Sequence, residues 1–146
     1  MSMTSLDGIK ASLADMLKGI ERYNPDNIVT LERYLDMQAK ENGYDLEANL
    51  ALLKLYQFNP NQLSIRSVEK VLLKALTNLP HADFSLCKSL LTQDVLEDPT
   101  IKNITCLADL LETCSFKEFW TKVHMVPELV RPIAGFDDSV RKVKVK

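Results

Sequence analysis

The chain reads as one helical period after another. Between residues 5 and 20, Leu6, Ile9, Leu13, Met16, Leu17 and Ile20 fall on a single stripe of an α-helix. Residues 25–42 repeat the pattern with Ile28, Leu31, Tyr34, Leu35 and the pair Gln38-Ala39. The segment 44–57 differs. Tyr44, Leu46, Ala48, Leu50, Ala51, Leu52, Leu53, Leu55 and Tyr56 cover most of a helix circumference, which predicts a helix sandwiched between neighbours. Leu50 and Leu53 are its expected core contacts. Residues 64–79 carry Ile65, Val68, Val71, Leu72, Ala75, Leu76 and Leu79. A following helix is expected to bury Phe84, Leu86, Cys87, Leu90 and Leu91, and the next Ile101, Ile104, Leu107, Ala108 and Leu111. A short helix then holds Phe119, Trp120 and Val123. No alternating segment is long enough to compete, so strand content is expected near zero.

Punctuation between these periods sets the boundaries. Tyr23-Asn24-Pro25 and Phe58-Asn59-Pro60 frame a pair of helices, with the two prolines 35 residues apart. Asn can cap a helix by accepting from its free N–H groups. Proline suits the first helical position, where its missing N–H is no loss. Asp26 adds negative charge near the positive end of the dipole. Pro80 stops one helix and Asp83 is placed to cap the next. Asp98-Pro99 repeats the cap-plus-proline signal. Ser115-Phe116-Lys117-Glu118 fits the capping box, Pro127 and Pro132 interrupt the next stretch, and Asp137 after Gly135 is placed to start a last helix. A helix pair of about 34 residues is the unit of tetratricopeptide-like solenoids. The expected fold is therefore all-α: a right-handed superhelical stack of helical hairpins, HEAT- or tetratricopeptide-like, with about eight or nine helices.

Composition narrows the function. The chain has 146 residues, 46% of them hydrophobic, which fits one domain with a continuous core. A net charge of −2 implies no whole-domain attraction to nucleic acid. No apolar run approaches the roughly 20 residues of a membrane helix, and residues 1–20 lack the basic start and unbroken apolar core of a signal peptide. Three cysteines (Cys87, Cys106, Cys114), an odd count without a CxxC pair, predict reduced, buried thiols in a cytoplasmic protein.

Candidate chemistry is sparse. Structural zinc needs four ligands in tight pairs, and Cys87, Cys106, Cys114 and His81 do not have that spacing, so no metal is expected. Two histidines, His81 and His124, and no strand–turn–helix elbow leave no nucleophilic constellation. No P-loop and no GxGxxG occurs, so no cofactor is expected. Glu41, Asp45 and Glu47 form an acidic cluster of the kind that is usually surface. Asn103-Ile104-Thr105 matches a glycosylation sequon inside a predicted helix. Phe116, Phe119 and Trp120 could receive a partner, although their spacing fits core better. Arg141, Lys142, Lys144 and Lys146 put four positive charges in the last six residues, which reads as a solvated end rather than an RNA contact.

Several strings also carry a resemblance. LKGIERYNPDNIVTLERYLDMQAKENGYDLEANLALLKLYQFNP (17–60), LLKALTNLPHADFSLCKSLL (72–91), LADLLETCSFKEFW (107–120) and GFDDSVRK (135–142) closely resemble, in order, the subunit k family of eukaryotic translation initiation factor 3. The resemblance implies a HEAT-like helical-repeat part of a PCI module, followed in the family by a winged-helix domain. It implies a non-catalytic, cytoplasmic scaffold role with other subunits of the initiation factor, especially subunit l. It also implies contact with the small ribosomal subunit through the complex. On this reading residues 1–142 are the helical-repeat domain and 143–146 a basic tail where the family continues into the winged helix. Phe136, Val140, Arg141, Lys142 and Val143 are the expected partner-binding residues. The alternatives are a free-standing helical-repeat adaptor that binds peptides and, from a third class, an enzyme, for which no site is found.

Overall fold

The computed structural model describes residues 24–41, 43–77, 82–130, 133 and 136. They are all-α, with no strand among them. In chain order the helices are α1 (Asn27–Glu41), α2 (Leu46–Phe58), α3 (Ile65–Leu76), α4 (Ala82–Ser89), α5 (Gln93–Leu96), α6 (Pro99–Glu112), α7 (Phe116–Met125) and α8 (Pro127–Val130). A 3-10 turn, Pro60–Gln62, joins α2 to α3. The helix expected over 5–20, the stop at Pro80 and the last helix from Asp137 lie outside the described residues.

Successive helices pair as hairpins: α1 with α2, α3 with α4, α6 with α7. The first members also pack on one another, α1 on α3 and α3 on α6, and α2 packs on α4. One core results. Ile28, Leu31, Tyr34, Leu35, Gln38 and Ala39 are all buried on α1, as the stripe predicts. On α6 the predicted set Ile101, Ile104, Leu107, Ala108 and Leu111 is the buried set. In α2, Leu53 is buried, whereas Leu50 is only partly covered and packs against the edge of the core. On α4, Leu86 points outward and is 48% exposed. That helix is only two turns long, so its buried face is the narrow one of Phe84 and Cys87, with Leu90 and Leu91 packing in the turn beyond.

The caps hold two corrections. Asp98 caps α6 as expected, accepting from the amides of Thr100 (2.9 Å) and Ile101 (3.4 Å), with Pro99 opening the helix. Ser115 does not form the predicted capping box, because its side chain makes no bond to the α7 amides. The reason lies one residue earlier. Cys114 has φ 60°. Its amide donates to the Leu111 carbonyl (3.1 Å) and the Ser115 amide to the Leu110 carbonyl (2.8 Å). This is the Schellman pattern, with a cysteine where glycine usually stands. Asp83 is the other correction. It lies inside the first turn of α4, and its carboxylate accepts from the Tyr44 hydroxyl instead (2.7 Å).

The two Asn-Pro signals also do different work. Asn24 opens α1: its side chain accepts from the Asp26 amide (2.9 Å) and its carbonyl from the Asn27 amide (3.0 Å). Asn59 closes α2, donating its amide and its side-chain nitrogen to the Leu55 carbonyl, both at 2.9 Å. Pro60 then starts the 3-10 turn. The 35-residue spacing therefore marks one helix start and one helix end.

Candidate interaction surface

The buried polar groups are built for structure. Gln38 on α1 and Asn49 on α2 exchange side-chain amide bonds, Nε2 to Oδ1 at 2.8 Å and Nδ2 to Oε1 at 3.1 Å. Both are essentially inaccessible. The Gln38 oxygen also accepts from the Asp45 amide (2.9 Å). Asp45 in turn caps α2 through the Ala48 amide (3.2 Å) and accepts from the Tyr34 hydroxyl (2.9 Å). One member of the acidic trio Glu41, Asp45 and Glu47 is thus fully engaged in holding the first hairpin. Tyr56 donates to Glu32 across the same hairpin, and Lys70 on α3 pairs with Asp36 on α1 at 2.5 Å.

Titration shifts follow from burial. Loss of solvent raises the Tyr44 and Tyr56 hydroxyls well above the usual phenol range, helped by their bonds to Asp83 and Glu32. Burial pushes the Cys87 thiol up to about 12, with the Asp83 charge adding to it. Burial lowers the Lys74 ammonium to about 8. Desolvation raises the Glu69 carboxyl, with Asp98 contributing. A nucleophilic thiol needs the opposite shift, so Cys87 is an inert core residue. The expectation of buried thiols holds only for Cys87: Cys106 is half-buried, and Cys114 is exposed because it forms the left-handed turn that ends α6. Among the described residues no group of His, Cys, Asp and Glu converges to hold a metal ion. His124 is exposed on α7, and His81 lies outside the described residues.

Among the described residues, two recesses bear on this question. One, of about 260 Å³, lies between the end of α2 and the α4–α5 corner, floored by Leu53, Leu63, Leu90, Leu91 and Val95. The other, of about 540 Å³, is an open groove between α6 and α7. It is lined by Cys106, Leu110, Lys117, Glu118, Thr121, Lys122 and Met125. It was not anticipated from the sequence, although Cys106-Leu110 and Thr121-Met125 each repeat at one helical turn.

The predicted partner residues separate. Phe136 is 3% exposed and joins Ile133 in the core. Val140, Arg141, Lys142 and Val143 lie outside the described residues. Of the aromatic cluster, Phe119 is buried, with Trp120 edge-on to it at 5.1 Å and 84°. Phe116 packs partly buried beside them, so this cluster is core. Among the described residues no helix is long and apolar enough to cross a membrane.

Comparison with known proteins adds to this surface. Residues 62–146 match the CSN8/PSMD8/EIF3K family. The protein named "Eukaryotic translation initiation factor 3 subunit K" in Xenopus tropicalis is 54% identical over 140 residues, covering 96% of this chain and 64% of its own length. Its namesake in Homo sapiens gives the same figures. The Bombyx mori protein of that name is 54% identical over 142 residues, 97% of this chain and 65% of its own. The chain thus spans just under two thirds of the length of these relatives.

Proposed function

Because this chain belongs to the CSN8/PSMD8/EIF3K family, we propose that it is a non-catalytic scaffold subunit of eukaryotic translation initiation factor 3. It acts in the cytoplasm through protein–protein contacts. Its partners are other subunits of that factor, subunit l foremost, and it reaches the small ribosomal subunit through the complex. The single observation that carries this reading is 54% identity running over 96% of the chain to the relative of that name. The buried Gln38–Asn49 pair supports it by bonding α1 to α2, and among the described residues no cluster of His, Cys, Asp and Glu converges.

The helices form a right-handed superhelical stack. In its support, α1, α3 and α6 pack in succession while α2 and α4 pack beside them, the arrangement in which helical hairpins bury a shared core. The segment Val140–Val143 carries the partner contact, with Phe136 anchoring it to the core.

The test is recovery of partners on the tagged chain from cell extract. Initiation-factor subunits and small ribosomal subunits are expected in stoichiometric amounts. A Val140→Asp, Val143→Asp variant should lose them while keeping its helical circular dichroism. A scatter of unrelated proteins on the unaltered chain would instead favour a free peptide-binding adaptor.

A further inference from the structure

We infer that the groove between α6 and α7 docks an amphipathic helix of a partner protein, one whose apolar stripe is flanked by carboxylates. This deepens the scaffold reading and rests on it only in taking the partner to be a protein.

The groove has an apolar floor and a basic rim. On α6, Lys102, Cys106 and Leu110 recur every fourth residue and so lie along one face. On α7, Lys117, Thr121 and Met125 do the same, with Glu118 and Lys122 beside them. Met125 is 72% exposed, the most open of the large hydrophobic side chains described. A flexible thioether at such a position suits a surface that adapts to an incoming apolar side chain.

Charge chooses the occupant. The whole chain carries −2, yet the groove lining carries two lysines against one glutamate. Carboxylates on an incoming helix would therefore be steered to it. A single-stranded nucleic acid would want aromatic faces to stack on, and none lines this groove. A third helix laid between two packed helices is instead the ordinary way to fill such a trough.

The test uses the full chain, isotopically labelled, and three probes. The first is a synthetic amphipathic peptide of about 14 residues, roughly four helical turns, with leucines on one face and glutamates flanking them. The second carries lysines in place of the glutamates, and the third is an oligouridine. The acidic peptide should shift the amides of Cys106, Leu110, Thr121 and Met125 and protect Cys106, but not Cys114, from alkylation. It should bind about tenfold or more tightly than the basic peptide. Lys117→Glu with Lys122→Glu should weaken it by a similar factor without changing the melting temperature, and Met125→Asp should do so as well. Equal binding of the two peptides, no shift at the groove, or preference for the oligouridine would overturn the inference. Such a failure, with initiation-factor subunits still recovered on the tagged chain, sinks the groove and leaves the scaffold reading. Recovery of unrelated proteins with the peptide still bound does the reverse.

Discussion

Along the seam between α1 and α2, two buried amides face each other, and Gln38 and Asn49 are bonded in both directions. Asp45 and Tyr34 extend the same network to the hairpin corner. Along α6, by contrast, every buried residue is apolar: Ile101, Ile104, Leu107, Ala108 and Leu111. The neighbouring α3 contributes Val68, Val71, Leu72, Ala75 and Leu76. Apolar burial is worth roughly 25 cal/mol per Å² and has no direction, so α6 gains stability from contact of any good fit. A satisfied amide pair gives little net energy, but it is costly to break. Only one offset of α2 along α1 lets Gln38 meet Asn49. The first hairpin is therefore specified by its polar pair, and the later region is stabilised by its apolar one.

That contrast can be broken at its strong end. Leu72→Ala should destabilise the protein by about 2–5 kcal/mol, read from the urea midpoint at constant slope. A shift below about 0.5 kcal/mol would mean that α3 is not the centre of the dry region.

The polar seam offers a finer test. Asn49→Ala strands the Gln38 amide and should cost about 1–3 kcal/mol. Replacing Gln38 and Asn49 together by Leu should recover only part of that loss, because the Asp45 amide then loses the Gln38 oxygen. If the double variant is no better than the single one, the pair contributes more than mutual satisfaction, and a double-mutant cycle would size the excess.

Lys74 places an ionisable group inside the apolar side of the comparison. Burial holds its ammonium near 8, below the ordinary 10.5, so the folded chain disfavours the charge. Below pH 8 that penalty is complete. Between pH 8 and 10.5 the unfolded chain binds the extra proton, so this group makes stability rise with pH. Cys87 works the other way. Its thiol is raised from 9 to about 12, so its contribution is fully present below pH 9 and is lost progressively as pH rises from 9 to about 12. Comparing the parent with Lys74→Met cancels the thiol. The difference in melting temperature should move in the parent's favour as pH rises from 8 to 10.5. A pH-independent difference would show that Lys74 is hydrated.

The smallest effect is expected at the surface tie between the two regions, Lys70 with Asp36. Lys70→Ala should change stability by less than about 1 kcal/mol, and less still at high salt. A larger loss would make that ion pair part of the seam.

Helix identity was legible wherever the apolar period was complete. The stripes over α1 and α6 named their buried residues, because a helix end-to-end in contact with the core has no latitude. Leu86 and Leu50 were misplaced for a related reason. Period tells which residues share a face, but not how wide a face the neighbours cover. The capping box expected at Ser115 does not form, because the Schellman turn ahead of it uses Cys114, where no glycine signals the left-handed residue. The Asn59 signal was assigned to the wrong helix end, since Asn serves at either. The groove between α6 and α7 was hidden more deeply. It depends on two helices being brought side by side, and neither helix shows it alone.

The three cysteines are graded in access: Cys114 open, Cys106 half-covered on the groove floor, Cys87 sealed in α4. That gradation turns the molecule into its own clock. Under native conditions a thiol reagent should consume Cys114 at the rate of a free thiol and Cys106 more slowly. Cys87 should react only during the moments when α4 lifts from the core. The Cys87 rate, divided by that of an unprotected thiol, gives the fraction of time the helix spends detached. A partner that stacks against α4 would be seen as a slowing of that one reaction, with no change at Cys114.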